Sequence, residues 1–168
     1  DVQRVVVHAG VTEIEDDTFR GWTNLREVIF EFGSRLRRVG DHAFAGTTLR
    51  GFAAPEGLRE IGNRAFMGCK NLREVKLNEG LESLGEGAFR DSGMDDVHLP
   101  SSLKTMGESV FAGCRCLQKI EMGADCGALA VAVRAVGGAL AVEARREVRE
   151  DSDGSVQIEL EDADALRE

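Results

Sequence analysis

Apolar residues recur along this chain in a fixed two-part pattern. In "LREVKL" (72–77), Val75 and Leu77 alternate with Glu74 and Lys76, the period of a strand buried on one face. The same unit returns as "NLREVIF" (24–30), "TLRGFAA" (48–54), "GMDDVHL" (93–99) and "CLQKIEM" (116–122), with a first copy around Val2, Val5 and Val7. A second apolar pair follows: Val11/Ile14, Leu36/Val39, Leu58/Ile61, Leu81/Leu84 and Leu103/Met106. Then comes a glycine frame. "GDHAFAG" (40–46) recurs as "GNRAFMG" (62–68), "GEGAFRD" (85–91) and "GESVFAG" (107–113), and a worn copy, "EDDTFRG", lies at 15–21. The frame phenylalanines Phe19, Phe44, Phe66, Phe89 and Phe111 are spaced 25, 22, 23 and 22 residues apart.

One short strand per unit, at nearly constant spacing, predicts a parallel sheet in which each coil adds about 4.7–4.9 Å. A single coil cannot bury its own apolar face, so stability must come from stacking on its neighbours. The frame glycines Gly40, Gly62, Gly85 and Gly107 allow either an unrestricted turn or a close backbone approach. The residues after them, Asp41, Asn63, Glu86 and Glu108, suit the N-terminal end of a short helical turn.

The combined pattern is roughly L-x-x-[VIF]-x-L followed by L-x-x-[IVLM]-G-x-x-A-F-x-G-C, and it resembles the BspA-like, treponemal-type leucine-rich repeat. "LPSSLKTMGESVFAGC" (99–114) and "LREIGNRAFMGC" (58–69) carry the resemblance most fully. It spans about residues 2–122, five full repeats and the start of a sixth. The fold class it implies is an α/β repeat, a leucine-rich-repeat solenoid. A short parallel β-sheet would form the concave face, with short helical or irregular segments opposite. The resemblance also implies a surface or interaction protein, of the kind found among bacterial adhesins, and it brings no family active site. Three departures stand out. Repeat two has a longer connection, "EFGSRL" (31–36), and repeat three has a weak strand, "GFAAPEG" (51–57). Repeat one has Glu15 in place of Gly, and Trp22 where later copies have Thr47, Cys69, Ser92 and Cys114.

After Met122 the pattern stops, dividing a solenoid at 1–122 from a C-terminal cap and acidic tail at 123–168. "GALAVAVRAVGGALAVEARREVRED" (127–151) has two readings. Leu129, Val133, Val136, Leu140 and Val148 form a helical stripe in an Ala-rich stretch, the preferred reading, with the helix capping the solenoid. Alternatively, Gly137-Gly138 turns a hairpin between the flanking alternating segments. "SVQIEL" (155–160) reads as a strand after the turn "DSDG", and "EDADALRE" (161–168) as a frayed end.

A length of 168 residues suits one domain, with room for an appendage. The net charge of −9 divides into −3 over residues 1–123 and −6 over 124–168. Such a balance argues against nucleic acid and against anionic membrane surfaces as partners. The apolar stretch Gly127–Val142 has 16 residues and contains Arg134, short of the roughly 20 that cross a bilayer, so no direct membrane insertion is expected. The chain opens at Asp1 without a Met or an apolar leader, as a fragment or trimmed chain does, so a signal peptide could have preceded it. The family resemblance suggests a cell-surface or secreted setting. The cysteines show no evident disulfide framework, which leans weakly towards a reducing one.

Candidate chemistry is thin. Asp41-His42 looks like an acid–base pair until its copies, Asn63-Arg64, Glu86-Gly87 and Glu108-Ser109, show a second place that accepts nearly anything. His8 and His98 lie four coils apart, about 19 Å, too far to share a proton or a metal. Cys69 and Cys114 share one repeat position two coils apart, about 10 Å and beyond the roughly 7 Å reach of a disulfide, and read as buried small hydrophobes. Cys116 and Cys126 could pair, but no metal-ligand spacing is present. No cofactor motif appears, and the glycines are explained by the repeat.

What remains is the concave face. Strand alternation turns Arg4, Glu27, Gly51, Glu74, Asp96 and Lys119 outwards in one column, and Val6, Ile29, Ala53, Lys76, His98 and Glu121 in the next. A third column holds His8, Glu31, Pro55, Asn78 and Pro100. The expected partner-binding residues are Arg4, Val6, Glu27, Ile29, Glu31, Glu74, Lys76, Asp96, His98 and Lys119. Adjacent exposed Val6, Ile29 and Ala53 mark either a partner site or only the preference of β-branched residues for strands. The acid excess at Glu27, Glu31, Glu74 and Asp96 favours a protein partner of some basic character. The leading expectation is a non-catalytic protein-binding module, followed by a structural spacer, with an enzyme last.

Overall fold

A computed structural model describes residues 2–123 together with the strand segments at 146–150 and 156–160. Each coil places a first strand on what we term the front face. These are β1 (Arg4–Val7), β3 (Glu27–Phe30), β5 (Gly51–Ala53), β7 (Glu74–Lys76), β9 (Asp96–Leu99) and β11 (Lys119–Met122). A two-residue strand follows in each of the first five coils: β2 (Glu13–Ile14), β4 (Arg38–Val39), β6 (Glu60–Ile61), β8 (Ser83–Leu84) and β10 (Thr105–Met106). The expected alternation holds: in β9, Val97 and Leu99 are buried while Asp96 and His98 are exposed.

The short second strands make one parallel ladder in the order β10-β8-β6-β4-β2. The front strands are also parallel and in register, but they pair in three blocks, β1–β3, β5–β7 and β9–β11, rather than in an unbroken sheet. At the first break β5 is only three residues long. It is soon followed by Pro55, which has no N–H to donate. The Arg50 N–H still donates to the Arg26 carbonyl at 3.1 Å and ties the coils together. A bend at Asp95 precedes β9 at the second break.

Among the described residues no segment opposite the front face is helical. The expectation of short helices fails for a reason visible in the hydrogen bonds. The N–H groups of His42, Phe44 and Gly46 donate to the carbonyls of Asn63, Ala65 and Met67 in the next coil, at 2.9, 2.8 and 2.8 Å. Those of Ala43, Ala45 and Thr47 donate within their own coil, to Gly40, His42 and Phe44. Every second donor is thus committed to a neighbour, whereas an α-helix keeps its donors within its own segment. Two left-handed residues per frame enforce this path. One is the His42 slot (φ 55°), filled elsewhere by Asp17, Arg64, Gly87 and Ser109. The other is the frame-closing Gly46 (φ 71°), whose counterparts are Gly21, Gly68, Asp91 and Gly113. The His42 slot is therefore defined by its backbone, and is not simply a free solvent position.

The residue after the frame glycine does not cap a helix either. Asp16 Oδ1 accepts the Asp41 N–H, Asp41 Oδ1 accepts the Asn63 N–H, and Asn63 Oδ1 accepts the Glu86 N–H, each at 2.8 Å. These side chains stitch one coil to the next. The glycine before them is required by close approach: a Cβ on Gly62 would lie 2.4 Å from Asp41 Oδ1 and 2.8 Å from the Asp41 nitrogen.

Inside, Phe44, Phe66, Phe89 and Phe111 are fully buried. Together with Phe19 they stack along the coil axis at centroid spacings of 5.1, 5.2, 5.2 and 6.2 Å, with ring planes within 19° of parallel. Phe52 of β5 packs on this column, 4.6 Å from Phe66. Past the coils, β13 (Val156–Leu160) pairs antiparallel with β11, and β12 (Arg146–Glu150) pairs antiparallel with β13. "SVQIEL" is thus a strand as expected, whereas the helical reading of 127–150 fails over 146–150, where the backbone is committed to a sheet. The Gly137-Gly138 turn and any Cys116–Cys126 pairing lie outside the described residues. Among those described, no helix is long and apolar enough to cross a membrane.

Candidate functional site

The front face gathers the expected partner-binding residues, distributed over the three strand blocks. In the first, Arg4 lies opposite Glu27 and pairs with it, and Val6 lies opposite Ile29. Val6 is 56% and Ile29 38% exposed, and Ala53 is exposed one coil further on. Glu31 follows β3; its carboxylate accepts the Ala9 N–H at 2.9 Å and lies 3.7 Å from His8 Nε2. Two of the four acids that suggested a basic partner, Glu27 and Glu31, are therefore already engaged.

In the second block Gly51 lies opposite Glu74 and Ala53 opposite Lys76. In the third, Asp96 lies opposite Lys119 and His98 opposite Glu121. His98 sits 3.7 Å from both Glu79 and Glu121. Lys119 pairs with Glu121, and its ammonium holds the Glu121 carboxyl below the usual range. In the third column, Asn78 is structural: its Nδ2 donates to the carbonyls of Glu56 and Leu58 at 3.0 and 2.9 Å. Pro100 is buried.

The cysteine column is interior. Cys69 and Cys114 are buried, and their thiols donate to the carbonyls of Phe44 and Phe89 at 3.1 and 3.0 Å. Burial pushes both thiols up, so they remain protonated and poor nucleophiles. Cys69, Cys114 and Cys116 form no disulfide with one another. Among the described residues no group of three or more His, Cys, Asp or Glu side chains could hold a metal ion.

Three residues on or beside this face escaped the sequence reading. Phe32 is fully exposed, at 103%, in a turn where Ser34 N–H donates to the Glu31 carbonyl and Gly33 has φ 74°. The long connection of repeat two was a signal for it, as an aromatic with no counterpart in other coils. Arg26 and Arg50 precede their strands in adjacent coils and are exposed, outside the alternating set that strand periodicity selects. They flank a hollow of about 720 Å³ in the front face, spanning coils one to four. The hollow exists because coil three puts Gly51 and Ala53 where its neighbours put Glu27, Ile29, Glu74 and Lys76.

The sequence profile of the BspA type leucine-rich repeat region matches residues 1–118, in 6 copies. The chain belongs to this family. Among curated protein sequences none matches it. Solved structures of other BspA-type proteins share the coil. The leucine-rich repeat protein of T. pallidum is 32% identical with a TM-score of 0.67, over 70% of this chain and 57% of its own. The pneumococcal vaccine antigen PcpA is 25% identical with a TM-score of 0.70, over 73% of this chain and 31% of its own. A leucine-rich repeat protein from Bacteroides ovatus is 25% identical with a TM-score of 0.57, over 71% of this chain and 37% of its own. This chain therefore spans about a third to just over half the length of these relatives.

Proposed function

We propose that this BspA-type chain is a non-catalytic protein-binding module whose front face, concave in this family, is the contact surface. The observation that carries the reading is the exposed apolar row of Val6, Ile29 and Ala53, with Phe32 beside it at the turn after β3. Val6, Ile29 and Ala53 stand on strands of coils held together by a parallel ladder and a stacked aromatic core. Recognition by such a preorganised surface loses little entropy on binding. The pneumococcal relative PcpA is a vaccine antigen, which accords with an exposed interaction role here.

The test is a random-peptide display selection on the folded chain. Selected binders should change in affinity with Ile29→Asp, Glu27→Ala, Glu74→Lys and Lys76→Glu while the circular dichroism spectrum stays unchanged. They should be indifferent to Glu108→Lys on the opposite side. Binders insensitive to all four front-face changes would refute the reading and leave a structural spacer as the better one.

A further inference from the structure

We infer that the hollow over coil three takes an acidic, extended peptide segment of the partner, with one aliphatic side chain seated between its carboxylates. This rests on the front face being the binding surface and names the chemistry of what it binds. In a chain of net charge −9 the hollow is locally cationic: its lining holds Arg4, Arg26, Arg50 and Lys76 against Glu27 and Glu74. Arg4 is spent on Glu27. Arg26 and Arg50 have no side-chain partner among the described residues, and their backbones are bonded to each other across adjacent coils at 3.1 Å. Two arginine side chains thus leave the backbone from neighbouring coils, one strand spacing of roughly 4.8 Å apart. Each can take a carboxylate through paired N–H donors.

The floor supplies the apolar half of the site. Gly51 and Ala53 leave the backbone of β5 uncovered, Phe52 lies beneath it at 2% exposure, and Val28 adds an aliphatic side chain to the lining. A leucine-sized side chain fits the depression that the two small residues leave. An extended backbone suits the spacing, since alternate side chains point the same way. A basic segment would meet Arg26 and Arg50 with like charge, which disfavours it despite Glu74.

The probe is the amidated, acetylated pentapeptide Asp-Glu-Leu-Asp-Glu, titrated into the full chain labelled with nitrogen-15. The counterpart Lys-Lys-Leu-Lys-Lys and a heparin hexasaccharide serve as the other arms. The acidic peptide should shift the amides of Gly51, Ala53 and Arg50. Its affinity should fall at least about tenfold in Arg26→Ala/Arg50→Ala, where two charge-assisted pairs are removed. Ala53→Leu, which fills the hollow from an exposed position, should also weaken it. Both variants leave the core untouched, and unchanged amide shifts elsewhere establish that they fold. Preference for the lysine peptide, shifts confined to other coils, or no response to either peptide would overturn the inference. Tighter binding of the hexasaccharide than of the acidic peptide would overturn it in favour of a sulfated glycan. If display-selected binders still depend on Ile29 and Glu74 in any of these cases, the front-face reading stands and only the acidic-segment inference falls.

Discussion

At the residue scale, the coils are joined by a ladder of short polar side chains, Asp16 to Asp41 to Asn63 to Glu86. The ladder needs an oxygen three bonds from Cα and is indifferent to charge, because Asp41 and Asn63 make the same bond. Charge matters instead for pH. The Asp41 N–H, then Arg38, hold the Asp16 carboxyl below its ordinary value of 3.8. A carboxyl depressed by folding contributes stability that is complete above the unfolded pKa and is lost as pH falls through the folded value. Asp16→Asn keeps the acceptor and removes the proton uptake. Urea denaturation from about pH 6 down to about pH 3 should therefore show a smaller stability loss for Asp16→Asn than for the parent chain. Equal losses would show that Asp16 is not held by this bond. The frame glycines and phenylalanines were legible from recurrence alone. The left-handed backbone at His42 was not, because Asp, His, Arg, Gly and Ser in one slot look like solvent exposure when φ is invisible.

At the element scale, the aromatic column is where neighbouring coils depend most on one another. Phe66 is fully buried, 5.2 Å from Phe44 and from Phe89 and 4.6 Å from Phe52. Phe66→Ala should cost about 3–5 kcal/mol. Phe19→Ala should cost less, since Phe19 is only partly buried, against Phe44 and Trp22. Urea midpoints followed by circular dichroism and by Trp22 fluorescence would check both. Equal costs would mean that the column does not act as a continuous stack. The strands were readable from the alternation in "LREVKL" and its copies. The helices expected opposite were misread because Asp and Asn serve an N-cap and an inter-coil bond equally well. Which of the two applies is decided by the backbone of the next coil, and no local pattern records that. The breaks at β3/β5 and β7/β9 likewise depend on contacts between repeats.

At the scale of the whole molecule, the recurrence of the glycine frame made the family legible, and the profile over residues 1–118 bears it out. The columns of the front face were legible too, because a period of 2 assigns each residue a side. The electrostatics of that face were not. Four acids counted from sequence suggested a basic partner, but pairing with Arg4 and with His8 and the Ala9 amide occupies two of them. Arg26 and Arg50, just outside the strands, dominate the hollow instead. The central claim is that recognition occurs on this face, over coil three. The most direct test places a photo-crosslinking amino acid at Ala53, in the floor of the hollow, or at Glu108, on the opposite side, and irradiates each protein with a display-selected peptide. The account predicts a crosslinked adduct from position 53 and none from position 108. An adduct from position 108 with none from position 53 would contradict it.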